Sequence, residues 1–147
     1  YKDLAIDLVP GRRQPGLTRD HSLYFRKTDT WIKTNIYKHI SFVRQANCKS
    51  EIRAIKIWRK LHNLDFPSFY LEMSVIQALK GYKKNKLSST LEKILKYLYL
   101  EFVDNKIFDP ANTNNIISDD LSKSEKEKIK KEAYASLNTD NWSKVIW

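Results

Sequence analysis

A chain of 147 residues with 41% hydrophobic side chains has the length of one domain and the apolar mass for one core, and no run approaches the roughly 20 apolar residues that span a bilayer. The single cysteine, Cys48, excludes an internal disulfide, three glycines exclude a Gly-rich phosphate loop, and no Cys/His cluster offers a zinc site, so a reducing, cytoplasmic setting is expected. The net charge of +10, from 27 basic and 17 acidic residues, favours polyanionic partners, nucleoside triphosphates or nucleic acid, although lysine-rich surfaces also serve solubility alone.

Leu4, Ile6 and Leu8 alternate with Asp3, Ala5 and Asp7, the period of a strand with one apolar face, and Pro10-Gly11 stops it. The start is acidic and strand-like, unlike the basic-then-apolar pattern of a leader. An edge strand with so few partners, in a chain without an initiator Met, leads us to expect a preceding half of the same protein. Residues 12–20 read as a loop carrying Arg12, Arg13 and Arg19. Residues 22–26 and 30–34 read as a hairpin around Lys27-Thr28-Asp29.

From there the period is helical. Ile36, Ile40 and Val43 suit a short helix that breaks near Asn47. Ser50, with Glu51 behind it, is a candidate N-cap for a helix with the apolar stripe Ile52, Ile55, Trp58 and Leu61. Residues 63–67 connect it to a helix starting at Ser68 that is apolar nearly all round, hence central and buried. A lysine-rich turn, with Lys80, Lys83, Lys84 and Lys86, reads as solvated. Ser89 and Glu92 suggest a capping box before Leu91, Ile94, Leu95, Leu98 and Phe102. Residues 108–120 read as irregular, and Ser122 with Glu125 as a second capping box opening a charged helix to about Leu137. A last helical turn is expected after Asp140. The expected fold is mainly α: five or six helices over residues 36–147, preceded by strands over residues 1–35 that would complete the sheet of a catalytic core.

Four segments carry a resemblance when taken in order: Ala5-Ile6-Asp7-Leu8-Val9-Pro10, Ile52-Arg53-Ala54-Ile55-Lys56-Ile57-Trp58, Phe66-Pro67-Ser68-Phe69-Tyr70-Leu71-Glu72, and Phe108-Asp109-Pro110-Ala111-Asn112-Thr113-Asn114-Asn115. The ordered set, with the hairpin ending Trp31-Ile32-Lys33-Thr34-Asn35, resembles the oligoadenylate synthetase and cyclic GMP-AMP synthase-like nucleotidyltransferases, including the bacterial cyclic-oligonucleotide synthases. It covers residues 4 to about 121.

The resemblance implies an active site between a mixed sheet and a helical domain, where an early carboxylate pair after a Gly-Ser or Gly-Gly turn and a third aspartate hold Mg²⁺ or Mn²⁺. Asp7 matches the third aspartate and is the implied catalytic and metal-binding residue. A carboxylate at a strand end is the rigid hard-oxygen ligand such ions favour. The Gly-Ser turn and the early pair are not in the sequence, so this chain alone is expected to be inactive. Lys56 and Ser68 match positions that grip the donor triphosphate, and Phe69 matches the aromatic residue that stacks on the donor base. Ser68 would otherwise be a plain N-cap and Phe69 a plain core residue. Thr34 and Asn35 fall at the strand-to-helix junction, where the acceptor nucleotide is contacted, although Ile36 replaces a frequent proline. Glu72 reads as structural, paired with a nearby base, and residues 109–115 as a structural loop in which Asn and Asp side chains bond their own backbone. His21, His39 and His62 show no acidic partner in their spacing, and Cys48 reads as a packed or surface thiol.

The implied activity is attack of a ribose hydroxyl on the α-phosphate of a nucleoside triphosphate, giving a linear or cyclic oligonucleotide that serves as an antiviral second messenger. The other reading is a non-enzymatic basic helical module that binds nucleic acid or a protein. No membrane association is expected.

Overall fold

The computed structural model describes residues 10–16, 19–25 and 29–146. The strand expected over residues 4–9, and Asp7 with it, lies outside the described residues. Arg12 and Arg13, expected in a loop, are strand instead. β1 (Gly11–Arg13) pairs antiparallel with β2 (His21–Phe25), and β2 with β3 (Thr30–Thr34), in the order β1-β2-β3. Strand β1 is fully exposed and so shows no apolar alternation. Its pairing rests on backbone bonds and on Gly11, where a Cβ would meet Leu23 Cδ2 at 2.9 Å. The β2–β3 hairpin is in the expected place, with Tyr24 opposite Trp31 and their rings 5.5 Å apart.

Asn35 is extended and caps α1 (Ile36–Gln45), its side chain accepting from the Lys38 amide at 3.0 Å. Asn47, at φ 51°, turns the chain as expected. α2 (Lys49–Leu61) then starts before Ser50, with Cys48 at its N-cap, so Ser50 is no cap. Ile52, Ile55 and Trp58 are buried, whereas Leu61, the last residue of the helix, is exposed. The Trp58 indole is not left unsatisfied: Nε1 donates to Ser136 Oγ at 2.9 Å.

α3 (Ser68–Ala78) is the central helix, burying Tyr70, Leu71, Met73, Ser74, Val75 and Ala78. The Ser74 hydroxyl donates to the Tyr70 carbonyl at 2.8 Å, which lets a polar residue sit inside. α4 (Leu87–Leu100) begins two residues before Ser89, with Lys86 at the N-cap, so the Ser89/Glu92 box does not form. Glu92 pairs with Lys96 one turn on, at 2.7 Å. Phe102 packs against Phe66 and Tyr70, with ring centroids 5.2 and 5.1 Å away.

The segment expected to be irregular contains a hairpin, β4 (Phe108–Asp109) with β5 (Asn112–Ile116), followed by a 3₁₀ turn at Ile117–Asp120. Asparagine-rich strands carry little apolar signal, and this hairpin is held from within by Asp109, which accepts from the Ala111 amide at 2.7 Å and from Asn115 Nδ2 at 3.3 Å. α5 (Lys123–Leu137) opens on the expected Ser122/Glu125 capping box and buries Ile129, Ala133 and Ser136. The expected last turn is a 3₁₀ turn at Trp142–Lys144. Five α-helices and two small sheets therefore make up the described residues, and among them no helix is long and apolar enough to cross a membrane.

Candidate nucleotide site at the second and third helices

Two polar contacts set the register of α2 against α3. Lys56 Nζ meets Glu72 Oε1 at 2.5 Å, and Arg59 Nη1 donates to Ser68 Oγ at 3.1 Å. As the residue number rises on α2 it falls on α3, which is the antiparallel pairing expected of helices joined by a short connector. Asn63, at φ 49°, takes the left-handed conformation that asparagine tolerates, and Arg59 also donates to the Phe66 carbonyl, closing the connector onto α2.

Lys56 stands between two clefts. The first, of about 640 Å³, is bordered by Lys56, Arg59, Lys60, Asp65, Phe66 and Ser68 among others. The second, of about 510 Å³, is lined by the apolar Ile40, Val43, Ile52 and Phe69 and by the charged Arg53, Lys56 and Glu72 among others. Lys56 and Ser68 thus share one cleft, and Lys56 and Phe69 share the other. Glu72 is the structural partner of a base, as expected, and the base is Lys56 itself. An ammonium has three donors, so Glu72 leaves Lys56 with two. Ser68 is not a cap: Pro67 occupies the N-cap position of α3, which has no side-chain cap bond. Phe69 is half-buried and packs its ring on His39, centroids 4.3 Å apart.

Thr34 and Asn35 are buried and border neither cleft. Besides capping α1, Asn35 donates from Nδ2 to Asp20 Oδ1 at 2.8 Å, and it edges a separate shallow cleft with Arg19, Tyr37 and Lys38. The histidines correct the sequence reading. His39 Nε2 donates to Asp109 Oδ1 at 2.6 Å, and His62 Nδ1 lies 3.1 Å from Glu132 Oε2. Both acids are 70 residues away along the chain, so local spacing did not show them. Burial would raise the Asp109 pKa, but its bonds from His39, the Ala111 amide and Asn115 outweigh burial and hold it below the ordinary value. Lys84 is likewise no free turn residue, since it bonds the Asn47 carbonyl and lies 3.4 Å from Glu51. Cys48 is a packed thiol, and burial raises its pKa despite the nearby Lys84 ammonium.

Arg59, which lines the first cleft beside Lys56 and Ser68, is a residue that the sequence reading did not single out. The antiparallel register, counted back from the connector, sets Arg59 opposite Ser68 and leaves Lys56 about one turn deeper, since three residues rise about 4.5 Å. Among the described residues no group of three or more His, Cys, Asp or Glu side chains could hold a metal ion, and Asp7 lies outside them.

Comparison with known proteins finds no matching family model and no matching curated protein. Two solved structures share the fold. The structure of E. coli MS115-1 CdnC with ATP aligns with a TM-score of 0.73 at 19% identity, over 94% of this chain and 58% of that one. The E. coli MS115-1 CdnC:HORMA-deltaN complex aligns with a TM-score of 0.65 at 18% identity, over 92% of this chain and 64% of that one. CdnC is a bacterial cyclic-oligonucleotide synthase, so the shared fold falls within the group that the sequence resembles. This chain spans less than two thirds of the length of either CdnC chain.

Proposed function

We propose that this chain is the donor-gripping part of a nucleotidyltransferase. The enzyme joins nucleoside triphosphates into linear or cyclic oligonucleotides. A ribose hydroxyl attacks the α-phosphate, a new O–P bond forms, and pyrophosphate leaves. The observation that carries this reading is the meeting of Lys56 and Ser68 in one cleft, with Phe69 in the adjoining cleft across Lys56. The fold shared with CdnC, a structure of which contains ATP, supports it.

Lys56 gives its two remaining donors to phosphate oxygens, each charge-assisted contact contributing roughly 1.5–3 kcal/mol. Because Pro67 brings no side-chain acceptor to the start of α3, the first amides of that helix suit a phosphate oxygen as well. Phe69 offers the exposed part of its ring to the base, a stack contributing about 1–3 kcal/mol. Positioning and electrostatics are the whole of this contribution, with no covalent intermediate on the protein. Asp7 is the metal ligand in this reading, with Mg²⁺ or Mn²⁺ supplying charge stabilisation when bound. Synthesis also needs the early carboxylate pair, which these 147 residues do not contain. Thr34 and Asn35 act on the acceptor side through the start of α1, and an unchanged product profile after Thr34→Ala/Asn35→Ala, in an enzyme that also carries the early carboxylate pair, would remove them from that role.

The test is calorimetric titration with a non-hydrolysable ATP analogue and, separately, with adenosine. Lys56→Ala should weaken the triphosphate about tenfold or more and leave adenosine unchanged, tenfold being about 1.4 kcal/mol. Phe69→Ala should weaken both. Triphosphate binding by Lys56→Ala at wild-type affinity would contradict the reading.

A further inference from the structure

Ser68 is exposed at the lip of the first cleft, and its hydroxyl oxygen already accepts a bond from Arg59 Nη1 at 3.1 Å. A guanidinium can only donate, so the hydroxyl proton is free to point elsewhere. Beside it in the same cleft are Lys56 and Lys60, with Asp65 the one acid among the lining residues. Lys56, Arg59 and Lys60 fall at i, i+3 and i+4 of α2 and therefore lie on one face of that helix. The acceptor that such a cleft favours for the Ser68 proton is an anionic oxygen.

Resting on the donor-site reading above, we infer that Arg59 is a positioning residue for the triphosphate: it fixes the Ser68 oxygen as an acceptor and so turns the hydroxyl proton toward a phosphate oxygen. Arg59 is suited to this because the same guanidinium is anchored on the Phe66 carbonyl, two residues before Ser68, on the connector that leads into α3. One rigid planar group thereby ties the cation face of α2 to the residue that begins α3. Both bonds leave the same nitrogen, Nη1, whose two hydrogens are fixed in the guanidinium plane; a lysine carries the same charge on a freely rotating tetrahedral head that lacks this planar pre-organisation. The consequence is a specific coupling: Arg59 matters for triphosphate only while Ser68 has a hydroxyl to aim.

The experiment is a double-mutant cycle on the whole chain, with Arg59→Lys, Ser68→Ala and the pair, titrated with the non-hydrolysable ATP analogue and with adenosine. We expect each single variant to weaken the triphosphate about five- to tenfold, the pair to be no weaker than Ser68→Ala alone, and adenosine to be unaffected. Additive losses would overturn the inference, as would wild-type triphosphate affinity in Arg59→Lys. Where Arg59→Lys lowers the melting temperature through its Phe66 anchor, Ser68→Ala decides alone, since an unchanged affinity would leave Arg59 nothing to position. Lys56→Ala separates the two claims. If it weakens binding while Ser68→Ala and Arg59→Lys do not, the donor site stands and the role of Arg59 falls. If it has no effect, the donor site falls.

Discussion

Tyr70 is fully buried, and its hydroxyl finds no partner among the described residues. Burial, the largest cause, raises its pKa well above the ordinary value, so it stays a neutral phenol at any working pH. An unsatisfied buried hydroxyl costs at least about 1 kcal/mol, and the phenyl body contributes all the packing against Phe66 and Phe102. Tyr70→Phe should therefore raise the urea midpoint, and a loss of similar size would mean that the hydroxyl has a partner. Asp109 behaves in the opposite way. Its pKa is lowered in the folded state, so its contribution is fully present above the ordinary carboxylate value of about 3.9 and is lost as pH falls below it. Urea midpoints should fall more steeply below about pH 4 in wild type than in Asp109→Asn, and parallel curves would remove the linkage. At this scale the sequence was legible where a side chain serves its own neighbourhood, as with Asp109 on the Ala111 amide. It was silent on His39 with Asp109 and His62 with Glu132, each separated by 70 residues, because only folding brings such pairs together.

Helix ends show what spacing can and cannot decide. Ser122 and Glu125 satisfy each other and the first turn of α5, whereas Ser89 and Glu92 have the same spacing inside a helix that had already begun at Leu87. Ser122→Ala should cost about 1 kcal/mol, the usual loss of a cap, while Ser89→Ala should be close to neutral. Thermal unfolding of the two variants checks this, and equal losses would mean that α4 starts later than Leu87. The apolar helices were legible because 3.6-residue periodicity reports burial directly, as in Ile52, Ile55 and Trp58. β1 and the β4–β5 hairpin were not, because exposed arginines and polar asparagines pair through the backbone and leave no periodic apolar trace. The register of α2 on α3 was half legible. Its antiparallel sense followed from the short connector, but the opposition of Arg59 to Ser68 needed the length of the turn.

Across the whole molecule, the helices bring a strip of α2 cations against the start of α3, and the +10 charge gains a local meaning there. Charge is not confined to that strip, since α5 carries Lys123, Lys126, Lys128, Lys130 and Lys131. A basic module binding polyanions through its general surface would engage those lysines as readily as the clefts. The measurement that separates the two is backbone and side-chain NMR of the chain during titration with the non-hydrolysable ATP analogue. Donor gripping predicts the largest shifts at Lys56, Arg59, Ser68 and Phe69, saturating together, with α5 unmoved. Shifts spread over the α5 lysines, with Ser68 and Phe69 unmoved, would contradict it.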